Sequence, residues 1–129
     1  MNHGVAMASG DYVVFMNAGD TFHDSNTLAK VAQALASGQK AVDILFGGAL
    51  LSFPDSGRLI YRAPRHAESS IWHGVPANHQ ATFYRREMLG STPYDLQYRL
   101  CGDYYLAAIL YKRGSRAAYL NEPLAIFEV

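Results

Sequence analysis

Gly4-Val5-Ala6-Met7-Ala8-Ser9-Gly10-Asp11-Tyr12-Val13-Val14-Phe15-Met16-Asn17-Ala18-Gly19-Asp20 is the stretch that decides the fold. It reads as a helix end, a short buried strand and a turn carrying a carboxylate. A compact apolar run broken by Asn, Gly and Asp is how open α/β sheets place metal- and phosphate-handling groups at the carboxyl edge of a strand. Asn2 to Ser9 are expected to be the last turns of a helix whose beginning is missing, with Val5 and Ala8 on one face and Gly10 just after its cap. Val13 to Met16 form the strand, and Asn17-Ala18-Gly19-Asp20 breaks it.

Working outward, Ser25 or Asp24 can cap a helix in which Leu28, Val31, Ala32 and Leu35 recur at i, i+3, i+4 and i+7, with Gly38 as its stop. That spacing predicts an amphipathic helix covering a sheet. Val42 to Leu51 is a second apolar strand, and Pro54-Asp55-Ser56-Gly57 turns it into a returning arm, Arg58 to Arg62. Ala63 to Pro76, with His66, Trp72 and His73, shows no period and reads as a loop, mobile or ligand-facing. Gln80 to Tyr84 reads as a short strand and Arg85 to Leu89 as a helical turn ended by Gly90. Gly102-Asp103 opens a helix with Tyr104, Leu106, Ala107, Leu110 and Tyr111 at helical spacing and Gly114 closing it. Ala117 to Val129 is strand-like, interrupted by Pro123. Strands alternating with helices, without repeats or a linker, imply one α/β domain over residues 1–129.

Composition bounds the function. The 129 residues are 50% hydrophobic, enough for a real core. Eleven basic and eleven acidic residues cancel, leaving no overall field for nucleic acid or acidic lipid, so an anionic partner must be held locally. The single cysteine, Cys101, excludes an intrachain disulfide and a Cys-based structural zinc site, and points to a reducing cytoplasmic setting. Beside Gly102 it reads as a small buried residue. The longest apolar runs are far below the roughly 20 residues that span a bilayer, and no signal peptide is expected at Met1.

Several residues can carry chemistry. Asp20, helped by Asn17, can face a divalent cation, and Gly19 lets a phosphate approach the backbone. Hard oxygen ligands of this kind suit Mg²⁺ or Mn²⁺ on a diphosphate. The same four residues also read as a plain turn in which Asp20 or Asp24 caps the next helix. Asp103 can accept a proton from a hydroxyl nucleophile if it projects into the crevice of Asp20, or it can be an ordinary helix cap. His79 and Gln80 suit phosphate or sugar hydroxyls, or they close a strand end. Arg85 and Arg86 can hold a diphosphate or lie on a solvated face. The spacings of His66, His73 and His79 match no standard zinc pattern, and there is no G-x-S-x-G elbow, P-loop or G-x-G-x-x-G.

Met1-Asn2-His3-Gly4-Val5-Ala6-Met7-Ala8-Ser9-Gly10-Asp11-Tyr12, Phe15 to Phe22, His79-Gln80-Ala81-Thr82-Phe83-Tyr84-Arg85-Arg86, Tyr94-Asp95 and Gly102-Asp103-Tyr104-Tyr105-Leu106, in that order and spacing, resemble family 2 glycosyltransferases. The likeness is to the bacterial group that builds colanic acid, capsule and O-antigen polysaccharides, and it covers Asn2 to about Glu128. It implies a partial GT-A (Rossmann-like) three-layer α/β sandwich with a mixed sheet and a small hairpin. It also implies an inverting transfer from a nucleotide-sugar donor to a saccharide or lipid-linked saccharide acceptor at the inner face of the plasma membrane. The family's D-x-D-like element falls on Asn17-Ala18-Gly19-Asp20, leaving Asp20 as its one carboxylate and Mn²⁺ or Mg²⁺ as the implied ion. The family's base falls on Asp103, with Gly102 where Glu often stands, and Asn17, Gly19, His79, Gln80 and Arg85 become diphosphate- or acceptor-binding residues.

In that family a strand-helix-strand portion holding the nucleotide precedes the part represented here, so the chain is expected to be N-terminally truncated and weakly active or inactive. An uncovered sheet edge would then call for a homodimer or another cover. Two further readings stand beside the transferase. One is a non-catalytic α/β remnant that folds and self-associates without donor sugar; the other is a metal-dependent phosphohydrolase built on Asp20.

Overall fold

The structure, a computed structural model, describes residues 1–129. The chain runs α1 (Asn2–Met7), β1 (Tyr12–Val14), β2 (Thr21–Phe22), α2 (Thr27–Ala36), β3 (Ile44–Phe53), β4 (Arg58–Arg62), α3 (Ala67–Ser70), β5 (Thr82–Arg85), α4 (Arg86–Leu89), α5 (Gly102–Lys112) and β6 (Ala117–Glu128). All six strands share one sheet in the order β1-β5-β3-β6-β2, with β4 pairing on the outer half of β3. β3 organises it. Its first residues, Ile44 to Phe46, pair antiparallel with β5, its last, Ala49 to Phe53, pair antiparallel with β4, and Ile44 to Ser52 run parallel to β6.

Strand alternation divides the core into two layers. Ile44, Phe46 and Tyr84 point to one face, packing with Val5 of α1, Leu89 of α4 and Leu106, Ala107 and Leu110 of α5. Leu45, Ala49, Phe83, Leu124 and Ala125 point to the other, onto Val31 of α2. The result is a three-layer α/β sandwich with a mixed sheet and a β3–β4 hairpin, the class expected. Gly47 allows the tight β3–β6 approach: a Cβ there would overlap the Leu124 side chain. The ladder shifts register at Gly47–Gly48, opposite Pro123, which has no N–H to offer it.

Several local expectations are corrected. α1 ends at Met7 with an extended Ala8, and Gly10 keeps an ordinary φ, so no left-handed glycine cap closes that helix. α2 turns Thr27 and Val31 inward, while Leu28 is 54% exposed and Ala32 is exposed too. Thr27 wins the inward place because its hydroxyl exchanges hydrogen bonds with Asp24 at the helix entry. Within Ala63 to Pro76 lies the short helix α3, whose Ala67 and neighbouring Ile71 are buried. Gln80 belongs to a 3-10 turn, His79–Ala81, that precedes β5. Cys101 is exposed, because it lies at the boundary before α5 rather than on its inward face. No helix is long and apolar enough to cross a membrane.

Candidate functional site

The antiparallel pairing of β1 with β5 builds the site. Val14 lies opposite Phe83 and Tyr12 opposite Arg85, so continuing the register beyond Val14 carries the Asn17–Asp20 turn past Gln80 and His79. Gly19, at φ 95°, makes that turn possible, and nothing lies within 4 Å of where its Cβ would be. Asp20 Oδ2 accepts from the Gln80 Nε2 amide at 2.9 Å and from the Asn17 backbone N–H at 3.0 Å. Asn17 Nδ2 lies 3.0 Å from His79 Nε2, and His79 Nδ1 lies 3.0 Å from Asp103 Oδ2. With the amide so placed, Asn17 donates to Nε2, which leaves the ring proton on Nδ1 for Asp103.

α5 brings Asp103 in. Leu106, Ala107 and Leu110 anchor that helix in the core, and its first turn projects Asp103 towards His79. The other carboxylate oxygen, Oδ1, accepts from the Tyr94 hydroxyl at 2.6 Å. Tyr94 is fixed on three sides. Its ring packs edge-on against Phe15, with centroids 5.0 Å apart, and Asn2 exchanges 2.8 Å hydrogen bonds with its backbone N–H and carbonyl. Gly102 is the third side, since a Cβ there would come within 3.0 Å of the Tyr94 ring. The sequence position next to Asp103 is therefore filled by the residue that leaves room for its hydrogen-bond donor.

The electrostatics follow. The His79 hydrogen bond is the chief cause holding the Asp103 carboxyl below its ordinary value, with Tyr94 adding to it against the desolvation that pulls the other way. Burial first, then the hydrogen bond to Asp103 and its charge, pushes the Tyr94 hydroxyl far up, so it remains a donor. Asp103 is thus an ionised, oriented carboxylate.

Six residues singled out from sequence, Asn17, Gly19, Asp20, His79, Gln80 and Asp103, lie in this one region. Arg85 does not. It is at the far end of β5, about 10 Å along the strand from Thr82 at roughly 3.3 Å per residue, and pairs with Asp43 and Glu87. Arg86 is likewise engaged, its Nε donating to the Gly10 carbonyl. Sequence reasoning missed Asn2 and the role of Tyr94, although both stand in segments that carry the family resemblance.

As a cation site, the Asn17–Asp20 turn offers one carboxylate. No group of three or more His, Cys, Asp or Glu side chains is placed to hold a metal. Asp20 Oδ2 is occupied by two donors, while no protein donor reaches Oδ1. That fits an ion ligated mainly by substrate phosphates and water, the usual manner of Mg²⁺ in such sites.

Beside these residues is a small cleft of about 160 Å³ lined by Arg62, Val75, Asn78, His79, Gln80, Asp103 and Phe127. Gln80 is only 1% exposed and its Oε1 has no hydrogen-bond donor, nor has the buried Oδ1 of Asn78. Leaving such an acceptor bare costs about 1–3 kcal/mol, a local cost carried beneath the site.

No family model matches the chain. It is 30% identical over 113 residues to the PGL/p-HBAD biosynthesis glycosyltransferase of Mycobacterium bovis (strain BCG / Pasteur 1173P2), covering 81% of this chain and 39% of that protein. The protein of the same name in Mycobacterium tuberculosis (strain ATCC 25177 / H37Ra) matches equally. An uncharacterized glycosyltransferase of Mycobacterium tuberculosis (strain CDC 1551 / Oshkosh) is 28% identical over 127 residues, 98% of this chain and 45% of that protein. The chain spans about two fifths of the length of these curated relatives. Distant homologues named glycosyltransferases thus support a glycosyltransferase family relationship.

Proposed function

We propose that this chain is the acceptor-side portion of an inverting family 2 glycosyltransferase of GT-A type, moving a sugar from a nucleotide-diphospho-sugar to a saccharide hydroxyl in cell-surface polysaccharide synthesis. The observation that carries the reading is the hydrogen-bonded series Gln80–Asp20–Asn17–His79–Asp103–Tyr94, which joins the strand-end turn to the α5 carboxylate. An inverting displacement needs those two ends: a base at the acceptor and charge stabilisation at the departing diphosphate.

In the proposed reaction Asp103 takes the acceptor hydroxyl proton while the acceptor oxygen bonds to the anomeric carbon. The bond from that carbon to the diphosphate breaks on the opposite side, and the diphosphate leaves with the electron pair. Tyr94 and His79 hold the Asp103 carboxylate in place, and the open space over Gly19 admits phosphate to the backbone. Asp20 is the residue that would hold Mn²⁺ or Mg²⁺, an ion that neutralises charge on a departing diphosphate. A lipid-linked acceptor would bring the protein to the membrane surface.

A second reading, a non-catalytic α/β module that self-associates, draws on the apolar groove along α1 and the edge strand β1, about 490 Å³ and lined by Val5, Ala8 and Val13 to Phe15. Calorimetric titration with UDP-, GDP- and dTDP-sugars, with Mn²⁺ or chelator, tests both. Metal-dependent binding that disappears in Asp20→Ala supports the transferase; no donor binding, with a mass that rises with concentration, supports the module.

A further inference from the structure

Arg62 enters the cleft from the β3–β4 hairpin, an element outside every segment that carries the family resemblance. It is the last residue of β4, opposite Ala49 of β3, and its side chain lines the cleft with His79, Gln80 and Asp103. Arg65, Arg85, Arg86 and Arg116 are each engaged, by the Val75 carbonyl, Asp43, the Gly10 carbonyl and the Ala41 carbonyl respectively. The Arg62 guanidinium makes no hydrogen bond or ion pair with the chain.

The cleft therefore sets a cation without a partner in the chain beside the Asp103 carboxylate. A ligand complementary to that guanidinium carries an oxyanion, the bidentate partner a guanidinium prefers. Its place in the site is given by what lines it. Asp103 is in the cleft, whereas Asp20, Asn17 and Gly19 are not, so the cleft belongs to the base rather than to the turn expected at the diphosphate. Its volume is below the roughly 300–1,000 Å³ of pockets that engulf drug-sized ligands, which suits a single sugar ring.

We propose that the cleft is an acceptor subsite for an acidic saccharide, with Arg62 binding a carboxylate or phosphate carried by the sugar whose hydroxyl faces Asp103. This rests on the transferase reading. Arg62 is a specificity-determining residue: it selects the acid group. The Asp103 carboxylate repels a second negative charge, so the oxyanion is held at the Arg62 end and the reacting hydroxyl at the other.

Nuclear magnetic resonance titration of the chain with three soluble probes tests it: methyl glucoside, methyl glucuronoside and glucose 1-phosphate. An acidic probe is expected to bind about tenfold more tightly than the neutral one, the ratio for one charge-assisted hydrogen bond, and to shift His79 resonances. Arg62→Gln should erase that preference and Arg62→Lys keep part of it, with thermal midpoints checking that both variants fold. Preference for the glucuronoside identifies a uronate acceptor, and preference for the phosphate a phosphate-bearing one. Equal binding of neutral and acidic probes, a preference that survives in Arg62→Gln, or no shift at His79 with any probe overturns the proposal. A parallel titration with UDP and Mn²⁺ separates the two ideas. Donor binding without acid preference sinks only the acidic subsite, and acid preference without donor binding sinks only the transferase.

Discussion

The Tyr94 hydroxyl donates to Asp103 Oδ1 at 2.6 Å across a segment that leaves the core and returns to it between the two residues. The donor is held by Phe15 and Asn2, and the acceptor by α5, so the contact couples the first strand region to the last helix. Tyr94→Phe keeps the ring packing and removes only the donor. We expect it to lower stability by about 1–2 kcal/mol in urea unfolding, the scale of a hydrogen bond to a charged group that is partly solvated. It should also raise the Asp103 titration midpoint in carboxyl-carbon resonance. An unmoved midpoint would mean that Tyr94 does not act on the carboxylate.

Asp103 also sets an expected pH dependence. Its folded value lies below the ordinary 3.8, chiefly through His79, so the ionised form is preferred in the folded state. The stability this contributes is complete above 3.8 and is lost as pH falls from there through the folded value. Asp24, lowered chiefly by its Lys30 hydrogen bond, acts in the same direction and is unchanged in a comparison of variants. Asp103→Asn should therefore lose less stability than the native chain between about pH 6 and about pH 3. Parallel denaturation curves for the two chains at both pH values would exclude the assignment.

The same geometry explains what the sequence could and could not disclose. The Pro54 to Gly57 turn and the Arg58 to Arg62 arm are local, and they were legible because Pro and Gly restrict the backbone within a few residues. Burial of Leu106, Ala107 and Leu110 follows from helical spacing alone. The face of α2 was misread because counting apolar residues selects Leu28, whereas a threonine hydroxyl that bonds to Asp24 decides the entry angle. Asn17, Asp20, His79, Gln80 and Asp103 were identifiable as residue types in motifs. Their meeting depends on β1 and β5 being antiparallel neighbours, a non-local fact. That pairing also separates Arg85 from them, though it follows Gln80 by only five positions. Arg62 was invisible because a solvated hairpin arginine and a cleft-lining one look alike until the hairpin is placed.

Gly102 gives a sharper test of the Tyr94 cradle. Replacing glycine by alanine where the backbone conformation suits both normally stabilises by about 0.4–1 kcal/mol, through the unfolded chain. Here its Cβ would come within 3.0 Å of a ring that Phe15 and Asn2 prevent from moving away. Gly102→Ala is therefore expected to show no gain in thermal midpoint and a changed near-ultraviolet tyrosine signal. A full gain with an unaltered signal would show that the ring yields freely and that the cradle is loose.

Gln80 separates stability from binding. Its Nε2 group holds Asp20 at 2.9 Å, but its buried Oε1 lacks a donor, and the second feature offsets the first in the ligand-free chain. Gln80→Leu removes both at similar volume. Asp20 keeps its bond from the Asn17 N–H and is partly exposed, so water can take the vacated lone pair. The substitution should thus change unfolding free energy by less than about 1 kcal/mol, far from the usual cost of deleting a buried hydrogen bond, while donor and metal binding at Asp20 is weakened. A loss of about 3 kcal/mol would instead make Gln80 a structural residue whose carbonyl is satisfied in solution.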